Sequence, residues 1–104
     1  MQNLTELKNK FSEAMKAVSA CEREQEEQLD ECVEQVGRAA FRYALAFDAV
    51  NQNKTDLAHV RALNVARDFR RLVLNADVIE MTYNEQCDFV QTCMTVMLTL
   101  DKLA

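Results

Sequence analysis

Apolar residues recur along the first half of the chain in steps of three and four: Leu4, Leu7, Phe11, Met15 and Val18, then Leu29, Val33, Val36, Ala40, Tyr43 and Phe47. That spacing is one face of an α-helix. Both groups fall on the same stripe, roughly 100° wide, with Glu22 and Gln25 at the two stripe positions between them. The segment from Cys21 to Gln28 consists almost wholly of good helix formers and has no glycine, proline, asparagine or serine to make a turn. The pattern therefore predicts one continuous helix over about 3–50, on the order of 70 Å long. The alternative is a helical hairpin broken near 22–27, which would turn the chain into four helices of about twenty residues in an up-down bundle.

Asn51-Gln-Asn-Lys-Thr55, followed by Asp56, combines helix-stop and N-cap residues. A second helix is expected over 55–74, with Ala58, Ala62, Val65, Phe69, Leu72 and Val73 on one face and Leu63 and Leu74 in a smaller patch. Residues 75–81 have no clear assignment. Thr82-Tyr-Asn-Glu85 has capping-box spacing, so a last helix is expected over 83–103. Its apolar positions spread over about 220°, well beyond the stripe of a helix packed on one side, so it should be covered from two directions.

Two further helices of about 30 Å would shelter only half of a 70 Å rod. Leu4, Leu7, Phe11, Met15 and Val18 would then face water, and burying each large side chain is worth roughly 1.5–3 kcal/mol. The expected fold is thus an all-α antiparallel helical bundle, a single domain over 1–104. A homodimer follows, with those five residues and Phe89, Val96 and Leu100 at its interface.

Composition narrows the function classes. One glycine and no proline in 104 residues leave no material for phosphate-binding glycine loops or tight β-hairpins. Seventeen acidic against twelve basic side chains give a net charge of −5, which disfavours direct nucleic-acid binding or attraction to anionic membranes. There is no basic flank followed by an apolar block at the start and no apolar run long enough to span a bilayer, so a cytoplasmic protein is expected. In that compartment Cys21, Cys32, Cys87 and Cys93 are expected to be reduced and to pack as small hydrophobes. Cys21 and Cys32 would approach each other only if the chain bends between them.

No nucleophile is set up: Ser12 and Ser19 are the only serines and His59 the only histidine, and no hydrolase or nucleotide-binding string is present. The cysteine spacings do not suit zinc, and Asp56 with His59 reads as a capping aspartate beside a surface histidine. A non-enzymatic protein without metal or cofactor is expected.

The densest charge lies at 22–34, where seven carboxylates face Arg23 alone, a net of −6. On a continuous helix Glu27, Asp30, Glu31 and Glu34 project away from the apolar stripe, and like charges at three- and four-residue spacing weaken a helix by a few tenths of a kcal/mol per pair. This face is either an ordinary solvated surface or a docking site for a basic partner, one that imitates nucleic-acid phosphates. Arg61, Arg67, Arg70 and Arg71 form a basic cluster able to meet it within one chain or across two. Arg38, Phe41, Arg42 and Leu45, with Arg67 and Arg71, form a further candidate for partner binding or assembly. Gly37, unfavourable in mid-helix, implies a close helix crossing. The functional expectation is a small inhibitor or adaptor that binds another protein with a basic surface. A purely structural homo-oligomerisation module and a thiol- or metal-dependent regulator are the alternatives.

Overall fold

In the computed structural model, which describes residues 3–104, the chain forms α1 (Leu4–Ala20), α2 (Glu26–Asn51), α3 (Leu57–Asn75) and α4 (Tyr83–Asp101). A 3-10 turn at Val78–Glu80 precedes α4, and the described residues contain no strand.

The continuous first helix is not formed; the hairpin alternative is, with the break at 21–25. α1 stops at Ala20, Cys21 turns extended (φ −78°, ψ 135°) with its N–H on the Val18 carbonyl, and α2 begins at Glu26. The bend is made without a turn-forming residue: the Glu22 N–H donates to the Gln25 side-chain oxygen, and the Gln25 N–H donates to the Glu22 carbonyl. Tertiary burial overrides local preference here. Helix propensities of the residues at 21–25 amount to a few tenths of a kcal/mol each. Folding α1 back onto α2 instead removes a whole apolar row from water, at roughly 1.5–3 kcal/mol per large side chain. The longest dimension is accordingly 46 Å, against the roughly 70 Å of an unbroken rod.

This removes the basis for the expected dimer interface. Leu7, Phe11, Phe89 and Leu100 are buried in the chain's own core, and Leu4, Met15, Val18 and Val96 pack half-buried against it.

The central helix is α2, which packs against α1, α3, α4 and the 3-10 turn. It contributes Val33, Val36, Ala40, Tyr43, Ala44 and Phe47, all essentially inaccessible. The wide apolar arc of α4 is covered on its inner side, through Phe89, Cys93, Met97 and Leu100, while Leu98 remains exposed. Its start is the expected capping box, with Thr82 and Glu85 each capping the other's backbone N–H. Gly37 sits where α4 crosses: a Cβ there would lie 2.9 Å from Cζ of Phe89, so any larger residue would force the ring to move.

Candidate docking surface

The break in the first helix decides where the acidic residues go. Glu22 and Glu24 lie in the bend, and Glu26 and Glu27 form the first turn of α2. There they meet the positive end of the helix dipole, which favours carboxylates. This accounts for part of the acidic run in structural terms. It does not account for Glu22, Glu24 or Glu31.

Of the four residues expected on one acidic face, two are engaged within the chain. Asp30 is half-buried and accepts from Nε2 of Gln86 at 2.6 Å, and Glu34 meets Arg38 at 3.5 Å, one turn along α2. Glu27 and Glu31 are exposed and, like Glu22, Glu24 and Glu26, make no ion pair among the described residues. Arg23, the single cation of the stretch, lies over the ring of Tyr83 at 4.5 Å from its centroid. The unpaired carboxylates are therefore Glu22, Glu24, Glu26, Glu27 and Glu31, a tip rather than a stripe. A continuous helix places Glu27, Asp30, Glu31 and Glu34 on one face; the bend instead brings Glu24 and Glu26 into the exposed group.

The arginines of α3 do not reach this tip. Arg67 donates through Nε and Nη2 to the two oxygens of Asp48, at 3.1 Å each, and Arg70 adds a third bond at 2.8 Å. Arg71 pairs with Asp68 on its own helix at 3.3 Å. Asp48 is 21 positions beyond Glu27 on the same helix, which at about 1.5 Å per residue puts the two roughly 30 Å apart. Hydrogen bonding from Arg67 holds the Asp48 carboxyl below its ordinary range despite burial.

The expected arginine and aromatic patch is divided. Phe41 is half-buried and Leu45 exposed, and Asp48 stands one turn beyond Leu45 on α2. Arg42 lies on another side of the helix, where with Leu7, Ala14 and Ala39 it lines the seam between α1 and α2. Arg38 is held by Glu34, Arg67 by Asp48 and Arg71 by Asp68.

Beside the acidic tip, residues of α1, α2 and α4 line an apolar groove of about 190 Å³. Its walls include Met15 and Val18 of α1, Leu29 and Val33 of α2, and Val90 and Met94 of α4, with the half-buried Cys21 and the exposed Cys87 also lining it. Gln86 closes the floor: its buried amide donates to the Val78 carbonyl at 3.0 Å as well as to Asp30. No local pattern points to Gln86, because its partners are 8 and 56 residues away.

The chain matches no protein-family profile, no curated protein and no solved structure.

Other candidate chemistry is sparse. Asp56 caps α3 through the His59 N–H and also meets Nδ1 of His59 at 2.8 Å, which lowers the aspartate pKa. Among the described residues no three His, Cys, Asp or Glu side chains converge as a metal site. None of the helices is long and apolar enough to cross a membrane. Tyr43 is pushed up to about 12, first by burial and then by Asp101, whose carboxylate receives both the Tyr43 hydroxyl and Lys8. Asp101 thereby ties α1, α2 and α4 together.

Proposed function

We infer that this chain is a non-enzymatic cytoplasmic binding module, an antiparallel helical bundle that acts as an inhibitor or adaptor. Its acidic tip docks on a basic surface of another protein, in the manner of a phosphate mimic. The reading rests on one observation: five carboxylates in the α1–α2 bend and the first two turns of α2 lie without an ion pair among the described residues, while Arg38, Arg67, Arg70 and Arg71 are paired with other carboxylates. Uncompensated charge of this kind steers and orients a complementary partner. The adjoining groove provides a place for an apolar anchor of that partner.

The test is affinity capture from host extract with the wild-type chain and with Glu24→Lys/Glu27→Lys/Glu31→Lys, quantified by mass spectrometry. The expected result is a basic-surfaced protein retained by the wild type, released by salt and lost from the reversed variant at unchanged helicity. Equal capture by both at moderate salt would remove the acidic tip from consideration.

Self-association is a second reading, favoured by the exposed apolar residues of α3, among them Leu57 at 62% and Leu74 at 73% exposure. In that case Leu57→Ser/Leu74→Ser would change the sedimentation coefficient, and the charge reversal would not affect capture.

A further inference from the structure

Cys21 and Cys32 stand at either side of the bend, one closing α1 and the other on the second turn of α2. Their sulfurs are 3.3 Å apart and half-buried. A disulfide bond measures about 2.05 Å, so the two atoms are little more than about 1 Å from bonding distance. The other two cysteines differ. Cys93 is fully buried in the core, with its thiol pushed up to about 12 by burial, and Cys87 is exposed on α4 without a sulfur neighbour in hydrogen-bonding range.

We propose that Cys21 and Cys32 are a redox modification site, a dithiol that closes reversibly into an intramolecular disulfide stapling α1 to α2. The inference stands on the sulfur geometry and is independent of what docks at the acidic tip. Cys21 also lines the groove between α1 and α4, and oxidised glutathione is the oxidant considered for the pair. One protein thiolate attacks a sulfur of oxidised glutathione, and the glutathione S–S bond breaks to release one glutathione thiolate. The second protein thiolate attacks the mixed disulfide and releases the other. One protein S–S bond and two glutathione thiols result, the two protons passing from protein to glutathione. The bond encloses residues 22–31, so six of the seven carboxylates of the acidic stretch become part of a closed loop.

Burial and the adjacent Cys21 raise the Cys32 thiol above its ordinary range. The exchange therefore speeds up as pH rises toward the alkaline range, the thiolate being the reacting form.

The test uses the full reduced chain, equilibrated with a glutathione redox buffer, quenched in acid and mapped by trypsin. Arg23 lies between the two cysteines, so cleavage there separates Cys21 in peptide 17–23 from Cys32 in peptide 24–38. The expected product is these two peptides joined, with the free thiols falling from four to two. Closing this loop should raise Tm by about 10–20 °C. Dithiothreitol should reverse both effects. Cys32→Ser should abolish the link and the Tm rise, and Cys87→Ser neither. Four thiols persisting under oxidising buffer would overturn the proposal, as would stable glutathione adducts on Cys21 or Cys32, or a link through Cys87. Because the wild-type chain is the primary sample, the outcome does not depend on a variant folding.

Discussion

The two ends of α2 use carboxylates in opposite ways. At the C-terminal end, Asp48 has a side chain only 14% exposed and accepts three hydrogen bonds from Arg67 and Arg70, so the charge is spent inside the fold. At the N-terminal end, Glu27 and Glu31 stand in water with Glu26 of the same helix and Glu22 and Glu24 of the bend, and the one cation of the stretch, Arg23, is turned toward an aromatic ring. The first arrangement fastens α3 to α2. The second fastens nothing, and its like charges oppose helix formation slightly. An acidic sequence alone does not distinguish a clamp from a spare charge; the position of the arginines does.

The largest expected effect is at the clamped end. Asp48→Ala leaves Arg70, whose side chain is 22% exposed, without its partner, and its Nε is already buried without an acceptor. Removing one member of such a group should lower unfolding free energy by about 2–3 kcal/mol, read by urea denaturation. The acid limb sharpens the contrast. Asp48 has a lowered folded pKa, so its contribution is fully present above the unfolded aspartate value of about 3.9 and is lost as pH falls through the folded value. The wild type should lose this increment on acidification, and Asp48→Ala should have none to lose.

A smaller effect is expected midway along α2. Gly37→Ala gains about 1 kcal/mol of helix propensity, but its new Cβ would meet the buried Phe89 ring at 2.9 and 3.0 Å. The ring must shift within a packed core, and a net loss of about 1–2 kcal/mol is expected from thermal or urea unfolding.

Much of this fold is legible in the sequence because its signals are local. The three- and four-residue spacing, the Thr82–Glu85 capping box, the Asp56 cap and the glycine beneath Phe89 all act within one turn or one crossing. The bend at 21–25 is legible only as the alternative to a continuous helix, because no residue in it breaks helices; it exists because Leu7 and Phe11 reach the chain's own core. The one available sign was Glu26-Glu27, a pair suited to a first helical turn. The candidate site suffered from the same cause. Asp30 and Glu34 look equivalent to Glu27 and Glu31 on a helical wheel, and only the approach of Gln86 and Arg38 separates them. Likewise, nothing local marks Arg67 and Arg70 as partners of Asp48 rather than of the acidic stretch.

The smallest effect bears most directly on the central claim, that the carboxylates of the bend are not used by the fold. Urea denaturation of Glu24→Gln/Glu27→Gln/Glu31→Gln measures it. Relief of repulsion and loss of one favourable helix-dipole contact should nearly cancel, leaving stability within about 0.5 kcal/mol of the wild type. A loss above about 1.5 kcal/mol, comparable to a broken hydrogen-bonded charge, would show that these side chains hold the bend together and are not free for a partner.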